Sequence, residues 1–437
     1  MSDLLRVKQI LQTSSGENCV VEKFLGGGGQ GEVYQASWKG NSYALKWYFP
    51  HTATPSQLAN LKNLALKGGP SSRFLWPLEV LVQDGIAGYG YLMPLRKPNF
   101  KGILDLLKRR IEPEYRVLAK ACLQMADCFL QLHSKGFCYC DISFGNVFWD
   151  PITGDVLLCD NDNVIVNGQK PEILGTMGFM APEVTTGEAI PGIETDKHSL
   201  AVLYFYMFML HNPMEGSKET AIKCYDQLAK LRIYGKEPVF IFDPQNPSNR
   251  PDPRYHQTVI NHWAVQPKFL QDIFITAFTK GLSDPTHGRV RESEWKNLFA
   301  KYLDSIFPCL CGAENFYCSE TLKASPNQQL HCWACQSGLP TPIRIRLGKT
   351  VVMLNHDSKL YQHHTNPDMP IDYDTATAQV VQNPNKPSLW GLKNLTTNNW
   401  QTINPAGTST DVLPGKNAVL GDGIQLNFGK ITGEIRF

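Results

Sequence analysis

Residues 139–146 of this chain read Tyr-Cys-Asp-Ile-Ser-Phe-Gly-Asn, and residues 157–162 read Leu-Leu-Cys-Asp-Asn-Asp. These segments place Asn146 five residues after Asp141, and Asp160 fourteen residues after Asn146. Carboxylate and amide oxygens are ligands that suit Mg²⁺, and phosphate groups supply the remaining oxygens. One of the carboxylates can instead accept the proton of an attacking hydroxyl group. The spacing therefore predicts a site for magnesium and phosphate that contains one general base.

A glycine-rich stretch precedes this site in the sequence. Residues 25–34 read Leu-Gly-Gly-Gly-Gly-Gln-Gly-Glu-Val-Tyr, which contains the pattern G-x-G-x-x-G-x-V at Gly26, Gly28, Gly31 and Val33. Glycine lets a backbone approach phosphate groups without obstruction by side chains. The stretch leads into a strand, whereas the glycine fingerprint of dinucleotide-binding folds leads into a helix. We expect a hairpin that covers phosphates, although a flexible turn is the simpler interpretation of the glycines alone.

Lys46 ends the next strand-like segment, which reads Tyr-Ala-Leu-Lys from residue 43. Side chains alternate between the two faces of a strand, so Ala44 and Lys46 share one face. The ammonium group can then point beneath the glycine-rich hairpin toward phosphate oxygens. A single lysine on a strand is ordinarily solvated, and it is the neighbouring hairpin that favours phosphate binding.

The order of the elements predicts an α+β protein with two lobes, because strands come first and helices follow. Strand spacing is found at Val20–Leu25, Val33–Ser37 and Ser42–Trp47, and helical spacing at Ile103–Arg110, Tyr115–Ser134, Lys197–Leu210 and Phe269–Gly281. Residues 1–16 form a leader for which we expect one or two helical turns. Beyond about Ile343, turn residues are dense, and short alternating strands such as Arg344–Leu347, Thr350–Leu354 and Ile424–Phe428 predict an all-β module.

Over residues 20–303 the chain resembles the eukaryotic-like (Hanks-type) protein kinase superfamily. The catalytic loop H-R-D-x-x-x-x-N matches at Asp141 and Asn146, and the D-F-G triplet matches at Asp160. Two further matches are an Ala-Pro-Glu triplet at 181–183 and Asp196 ahead of an apolar helix. Arg289 is a third match, because kinases place an arginine there that pairs with the glutamate of the triplet, here Glu183. The resemblance implies a bilobal kinase fold.

The resemblance also implies an ATP-dependent serine/threonine protein kinase that transfers the γ-phosphoryl group to protein hydroxyls. The implied roles are charge neutralisation at the phosphates for Lys46, binding of Mg²⁺ (with Mn²⁺ as an alternative) for Asn146 and Asp160, and orientation and deprotonation of the acceptor for Asp141. Gly26, Gly28 and Gly31 would cover the nucleotide, and Val33, Ala44, the gatekeeper Met93 and Leu95 would also contribute to its binding. Thr176 matches the threonine typical of serine/threonine kinases.

The partner of the lysine is the first departure from the kinase pattern. In kinases a helix glutamate pairs with this lysine, but the corresponding helix, at about Ser56–Leu66, contains no acidic residue. Asn63 lies closest to the expected place, and its amide can bind the ammonium group of Lys46 without neutralising it. Glu79 is the alternative partner.

The catalytic segments contain further departures. Tyr139 and Cys140 replace the histidine and arginine of the catalytic loop, Ser143 replaces its lysine, and Asn161 and Asp162 replace the phenylalanine and glycine of D-F-G. These changes leave open an alternative, a pseudokinase-like nucleotide-binding scaffold that recruits partners through its C-terminal modules. Residues 161–174 contain no Ser, Thr or Tyr, so we also expect activity that needs no phosphorylation within that segment.

Two close cysteine pairs follow the kinase-like region, and they are Cys309 with Cys311 and Cys332 with Cys335. Four thiolates on two knuckles complete a tetrahedral structural zinc site with no open position. Cys318 and His331 are possible substitute ligands because they lie inside the loop between the pairs. A disulfide or unligated thiols remain the alternative interpretation.

The last hundred residues resemble a diverged forkhead-associated domain. The resemblance rests on residues 389–394 ahead of Trp400 and on the closing stretch 413–429. A clear S-x-x-H element for phosphothreonine is missing, so a protein-docking sandwich is favoured and phosphopeptide binding stays open. We expect a leader at 1–16, a kinase domain at 17–304, a zinc ribbon with four cysteine ligands at 305–340 and a β-sandwich at 341–437.

This arrangement resembles bacterial kinases of the tellurium-resistance-associated phosphorylation triad. That resemblance implies a von Willebrand factor A-type protein as substrate and a cognate metal-dependent phosphatase as a second partner. It leaves the oligomeric state and the regulatory trigger unspecified.

Composition excludes other classes of protein. Hydrophobic residues make up 42% and charged residues 19%, which fits a folded globular chain. A formal net charge of +2 lacks the basic excess typical of nucleic-acid binding. The N-terminus lacks the apolar core of a signal peptide, and the longest apolar run, residues 200–210, is shorter than the about 20 residues a bilayer requires. We therefore expect a cytoplasmic protein that binds neither nucleic acid nor membrane.

Overall fold

The computed structural model describes residues 4–318 and 329–437. It divides into two compact units, which are described one after the other. The first unit comprises Met1–Pro113, Gln124–His262 and Asp272–Ser293, and the second comprises Glu114–Leu123, Trp263–Gln271 and Glu294–Phe437. Within the described residues, no helix combines the length and apolar character needed to cross a membrane.

The first unit begins with an antiparallel six-stranded sheet in the order β1-β2-β3-β4-β6-β5. Its strands are β1 Ile10–Gln12, β2 Asn18–Gly27, β3 Gly31–Trp38, β4 Asn41–Tyr48, β5 Glu79–Leu81 and β6 Gly90–Pro94. Both faces of the sheet are covered, because Leu45 and Trp47 of β4 pack in one buried cluster and Ala44 and Tyr48 pack in another. The register pairs Val33 of β3 with Lys46 of β4. The three strands predicted from the sequence are confirmed.

The leader differs from the expected helical turns, and that expectation is wrong. Its residues include β1, which pairs with β2 and places Leu11 opposite Cys19. Leu5 and Leu11 are fully buried against the face of the sheet that contains Trp47. Burial of these two leucines and the ladder hydrogen bonds explain why an extended conformation is preferred to a short helix.

Helix α1, Pro55–Lys67, packs against the other face of the sheet. Thr54 caps its N-terminus by accepting a hydrogen bond from the backbone N–H of Gln57 at 3.1 Å, and Pro55 occupies the first helical position, where its missing N–H costs nothing. The helix buries Leu61 and Leu64, and Gly68 follows its last turn with a φ of 71°.

The rest of the first unit is mainly helical, with two small sheets ordered β10-β9-β7 and β11-β8. The strands are β7 Lys101–Gly102, β8 Phe137–Cys138, β9 Val147–Trp149, β10 Val156–Leu158 and β11 Ile165–Val166. Between residues 103 and 304 the α-helices are α2 Ile103–Leu107, α3 Tyr115–Ser134, α4 Pro182–Thr185, α5 Ile193–Met209, α6 Ser217–Thr220, α7 Gln227–Leu231, α8 Gln257–Val265, α9 Lys268–Phe278, α10 Lys280–Ser283 and α11 Glu292–Asp304. Some of them belong to the second unit. Short 3-10 turns lie at Asn161–Asn163 and Pro247–Asn249, and a π-helical turn lies at Arg232–Lys236. Helix α5 is buried along most of its length, as its apolar sequence predicts.

The second unit contains two short hairpins, followed by strands in two antiparallel sheets. The hairpin strands are β12 Ile306–Pro308 with β13 Glu314–Phe316, and β14 Leu330–His331 with β15 Gly338–Leu339. The larger sheets have the orders β17-β16-β25-β24-β21-β22 and β18-β19-β20-β23. Their strands are β16 Arg344–Leu347, β17 Thr350–Met353, β18 Lys359–Tyr361, β19 Ala376–Asn383, β20 Lys386–Asn394, β21 Trp400–Ile403, β22 Ser409–Val412, β23 Asn417–Val419, β24 Gln425–Asn427 and β25 Thr432–Arg436, with a one-turn helix at Gln362–Thr365.

One apolar core joins the two larger sheets. Strands of both sheets contribute to it, for example Ile345 and Trp400 from the first and Leu360 and Leu392 from the second. Alternate residues of a strand face this core, as period-2 patterning requires. The C-terminal all-β region predicted from the sequence is therefore present.

Candidate active site

The glycine-rich hairpin joins β2 to β3 and is closed by a hydrogen bond from the Gly28 N–H to the Gly31 carbonyl at 2.9 Å. No heavy atom lies within 4 Å of the place where a Cβ on Gly26 or Gly28 would stand, so these two glycines face open space. A Cβ on Gly31 would lie 2.1 Å from the Trp47 carbonyl oxygen, so this glycine is required by the close approach of β3 and β4.

Lys46 lies beneath this hairpin, with only 6% of its side chain exposed. Its ammonium nitrogen lies 2.8 Å from Oδ2 of Asp162, 3.6 Å from Oδ1 of Asp160 and 3.0 Å from Oε1 of Gln30. Gln30 belongs to the hairpin, so the lysine connects the hairpin with the segment that follows β10. Burial alone would lower the pKa of Lys46, but the negative charges of Asp162 and Asp160 outweigh it and raise that pKa.

Asp162 is fully buried, and both of its carboxylate oxygens are occupied by donors. The Tyr91 hydroxyl donates to Oδ1 at 3.1 Å, while Lys46 and the Tyr48 hydroxyl donate to Oδ2. Burial opposes the ionised form, but the charge and hydrogen bond of Lys46 prevail and lower the pKa of Asp162. The site therefore contains a buried ion pair whose polar atoms are satisfied.

Neither of the expected partners of Lys46 fills that place. Glu79 accepts hydrogen bonds from the hydroxyl of Ser14 and, at 3.1 Å, from the backbone N–H of Ser15. On α1, the side chain that contacts the segment after Asp160 is Asn60, which donates to the carbonyls of Asp162 at 3.3 Å and Val164 at 2.9 Å. The prediction of Asn63 or Glu79 is wrong because Asp162 supplies a full negative charge, which is the better match for a buried ammonium group.

Asp141 is held between two side chains of the catalytic segments. Thr176 Oγ1 donates to its Oδ1 at 2.7 Å, and Asn146 Nδ2 lies 3.2 Å from its Oδ2 and 2.8 Å from its carbonyl oxygen. Because Asn146 uses its amide nitrogen here, its Oδ1 stays available as a ligand. Asp160 keeps 43% of its side chain exposed although Lys46 is close. The oxygen donors of Asn146 and Asp160 thus fit a hard divalent cation bound with phosphate.

Tyr139, which stands where the catalytic loop of kinases has histidine, supports this arrangement from within the core. Its ring is fully buried, and its hydroxyl donates to the carbonyl of Cys159, the residue before Asp160. The Cys159 N–H in turn donates to the carbonyl of Asn146 at 2.8 Å. The chain around Asp160 is therefore tied to the loop that contains Asp141.

An apolar cluster adjoins the polar groups. Ala44 and Met93 face each other on β4 and β6 and are buried, and Val33, Leu95 and Leu157 pack against the same cluster. The four of these residues that the sequence predicts to bind the nucleotide are thus brought together. The sequence analysis did not predict that Leu157 joins this cluster, although its position three residues before Asp160 indicates that it lies near the site.

A comparison with protein families decides the assignment. The family described as "Protein kinase domain" matches residues 19–273, which is more than half of the chain. The chain belongs to the protein kinase family. A kinase domain implies ATP and Mg²⁺, and the glycine-rich hairpin, Lys46, Asn146 and Asp160 are the groups of this kinase that fit them.

The chain also contains the ion pair expected from the sequence between Arg289 and the glutamate of the Ala-Pro-Glu triplet. Arg289 Nη2 lies 2.6 Å from Oε1 and 2.8 Å from Oε2 of Glu183, so this prediction is confirmed. Both side chains are largely buried, which makes the pair a structural link between the end of the activation segment and the loop before α11.

A second buried network holds the catalytic loop of the kinase in place. Asp196, at the start of α5, accepts hydrogen bonds from the N–H groups of Tyr139 and, at 3.0 Å, Cys140. Cys140 has a φ of 71°, an unusual conformation for a residue with a side chain, and the two hydrogen bonds fix it. His133 lies between the carboxylates of Asp196, at 3.1 Å, and Glu292.

This network predicts that the stability of the kinase declines at alkaline pH. Burial alone would lower the pKa of His133, but the hydrogen bonds and charges of Asp196 and Glu292 raise that pKa to about 9. A raised pKa contributes stability that is fully present below the unfolded value of about 6.5 and is lost as the pH rises through about 9. We expect a loss of about 3 kcal/mol between these limits.

The measurement is the free energy of unfolding at pH 6 and pH 9.5 for the native chain and for His133→Gln. The variant should be less stable at pH 6 and should show a much smaller decrease at pH 9.5, because it lacks the titrating ring. Parallel decreases in the two proteins would assign the pH dependence to other groups.

The four cysteines outside the kinase match form one cluster in the second unit. Their sulfur atoms all lie within 4.8 Å of one another, with 3.7 Å between Cys309 and Cys335 and 3.7 Å between Cys311 and Cys332. A tetrahedron with metal–sulfur bonds of about 2.3 Å has sulfur–sulfur edges of about 3.8 Å. A disulfide needs about 2.05 Å. The arrangement is therefore compatible with a structural zinc ion. The two sulfur–sulfur distances of 3.7 Å are too long for disulfide bonds.

The alternative ligands do not join this cluster in the described part of the chain. The group that could hold an ion contains neither Cys318 nor His331, and His331 instead bonds through Nδ1 to the carbonyl of Gln336 at 3.0 Å. Residues 319–328 of the predicted ribbon at 305–340 lie outside the described residues.

Proposed function

We propose that this kinase is a serine/threonine protein kinase in which Asp141 is the general base. The observation that carries the proposal is the position of Asp141 between Asn146 and Thr176. Thr176 is the residue type that the kinase resemblance associates with serine and threonine acceptors, and its hydroxyl donates directly to the carboxylate. A carboxylate held on both sides has little freedom to leave the reacting geometry.

In this proposal each group of the chain has one task in phosphoryl transfer. Lys46 binds the α- and β-phosphates, and Asn146 and Asp160 hold Mg²⁺, which neutralises charge on the phosphates when bound. Asp141 accepts the proton of the acceptor hydroxyl as that oxygen bonds to the γ-phosphorus and the bond to the β-phosphate oxygen breaks. Gly26, Gly28 and Gly31 cover the nucleotide, and Val33, Ala44, Met93 and Leu95 enclose its base.

The test is transfer of label from [γ-³²P]ATP to a mixed protein substrate, followed by phosphoamino acid analysis. We expect phosphoserine and phosphothreonine without phosphotyrosine, at a rate that depends on Mg²⁺. Phosphotyrosine as the main product would contradict the assignment of the acceptor. Nucleotide binding without any transfer would favour the scaffold function instead.

We further propose that the C-terminal modules recruit substrates. The cysteine cluster supports a zinc ribbon within 305–340, and the two sheets with a common core support a docking sandwich within 341–437, related to forkhead-associated domains. The kinase domain would then occupy 17–304, after a leader at 1–16. The resemblance to the bacterial phosphorylation triad suggests a von Willebrand factor A-type protein as substrate, a cognate phosphatase as partner, and a cytoplasmic location.

A further inference from the structure

The kinase holds its phosphate-binding lysine without the helix that normally holds it. Helix α1 reads Pro-Ser-Gln-Leu-Ala-Asn-Leu-Lys-Asn-Leu-Ala-Leu-Lys and contains no carboxylate. The closest negative charge to Lys46 is that of Asp162, at 2.8 Å. We propose that Asp162 is the positioning residue for Lys46, so that the segment after Asp160 performs the task that the helix glutamate performs in other kinases.

The contacts of Asp162 distinguish this role from metal binding. The hydrogen bonds of Asp162 come from side chains inside the protein, since Tyr91 donates to Oδ1 and Lys46 and Tyr48 donate to Oδ2. The side chain of Asp162 is also fully buried, whereas that of Asp160 is 43% exposed. The two aspartates therefore have different tasks, with Asp160 facing the cleft and Asp162 acting as the internal counter-ion of the lysine.

The local backbone explains how two aspartates so close in sequence reach the same lysine. Asp160 adopts a left-handed conformation with a φ of 47°, and a single 3-10 turn, Asn161–Asn163, follows it. This turn brings Oδ1 of Asp160 and Oδ2 of Asp162 to 3.6 Å and 2.8 Å from the same nitrogen. With a glycine in the position of Asp162, as in the D-F-G triplet, the buried ammonium group would lack its main counter-charge.

Helix α1 keeps a supporting part in this arrangement. Asn60 donates to the carbonyls of Asp162 and Val164, and the hydroxyl of Thr54 donates to Glu172 further along the same segment. These bonds join the helix to the backbone of the segment that contains Asp162. The helix therefore supports the segment that contains Asp162 and has no carboxylate of its own to offer Lys46.

The decisive experiment is a double-mutant cycle, and it rests on the proposed kinase activity. The variants are Asp162→Asn, Lys46→Ala and the double variant, and the readouts are kcat and KM for ATP. We expect each single change to lower kcat/KM by about 10²-fold or more, as removal of one preorganised charge does. Because both act through the same lysine, the double variant should be within about 3-fold of Lys46→Ala.

Glu79→Gln is the matched control, because Glu79 is the carboxylate that the sequence offered as a partner of Lys46. It should retain kcat/KM within about 2-fold. An Asp162→Asn variant with activity within about 3-fold of the native chain would overturn the proposal. So would a double variant whose loss is the product of the two single losses, since that result would assign Asp162 a role independent of Lys46.

A variant that keeps the negative charge keeps the proposal testable if Asp162→Asn fails to fold. Asp162→Glu retains a carboxylate beside Lys46, so it should give a higher kcat/KM, or more soluble folded protein, than Asp162→Asn does. An Asp162→Glu variant no better than Asp162→Asn in both respects would overturn the proposal.

Nucleotide affinity separates a failure of this proposal from a failure of the proposed function. If the native chain transfers no phosphate, the affinity for Mg·ATP is measured by competition with a fluorescent ATP analogue. A loss of about 10-fold or more in Asp162→Asn, with Glu79→Gln unchanged, would support the positioning role even in a chain without transferase activity. Equal affinities in all three proteins would overturn it.

Discussion

Replacement of Asp141 by alanine should lower kcat for phosphoryl transfer by about 10²–10⁴-fold, which is the usual contribution of a positioned general base. The carboxylate is held at 2.7 Å by Thr176 and at 3.2 Å by Asn146, so its removal eliminates the oriented proton acceptor and the side-chain partner of Thr176, whereas Asn146 keeps its hydrogen bond to the carbonyl of residue 141. Affinity for Mg·ATP should stay within about 3-fold, because Lys46 and the hairpin glycines are unchanged.

The measurement compares initial rates at saturating ATP with the dissociation constant of a fluorescent ATP analogue. Asp84→Ala is a matched control, because Asp84 is an exposed carboxylate in the loop before β6. It should behave as the native chain does. Equal rates for the native chain and Asp141→Ala would exclude catalysis by this site and would favour the nucleotide-binding scaffold.

Regular elements of the fold were accessible from the sequence where periodicity is strong. The apolar spacing of residues 115–134 gave the bounds of α3, Tyr115–Ser134, and the alternation at 344–347 gave those of β16. The leader was not accessible in the same way. Its strand β1 has three residues, which is too short for a period to be read, and it is stabilised by contacts with β2 and the sheet face.

The candidate site shows the same division between local and distant information. Asp141, Asn146 and Asp160 could be located because their spacing along the chain is characteristic. The partner of Lys46 could not, since Asp162 is 116 residues away in sequence and stands where the family pattern has glycine. The sequence does contain an indication that Lys46 has a buried partner. Tyr48 shares a strand face with Lys46, and Tyr91 on β6 is the register partner of Lys46. A carboxylate is a favourable common acceptor for such a cluster of hydroxyl donors around a buried lysine.

Removal of zinc is the second large effect that we expect, and it concerns the two hairpins of the second unit. Strands β14 and β15 have two residues each, and β12 and β13 have three, so backbone pairing and apolar burial alone are insufficient for stability. Thiolates within 4.8 Å of one another would also repel without a cation between them. The apparent binding free energy of structural zinc in such small units is about 10–16 kcal/mol at pH 7, so the metal would determine whether the hairpins fold.

Metal analysis of the purified chain should therefore give about one zinc ion per molecule. Cys332→Ser should lose most of it, because Cys332 is buried and its sulfur also accepts a hydrogen bond from Asn315 at 3.6 Å. Hydrogen exchange at residues 306–316 and 330–339 should then rise toward the rate of an unfolded peptide, and chelation of the native chain should have the same effect.

Two cysteine variants provide the controls for this experiment. Cys224→Ser changes an exposed cysteine of the kinase domain and should keep the full zinc content. Cys318→Ser tests the alternative ligand inside the loop, and it too should keep the zinc, because the cluster of four sulfur atoms is complete without it. A metal-free native chain with slow exchange in both hairpins would contradict the zinc assignment, since the hairpins would then be stable without the ion. Loss of zinc in Cys318→Ser but not in Cys332→Ser would instead assign the fourth ligand to Cys318.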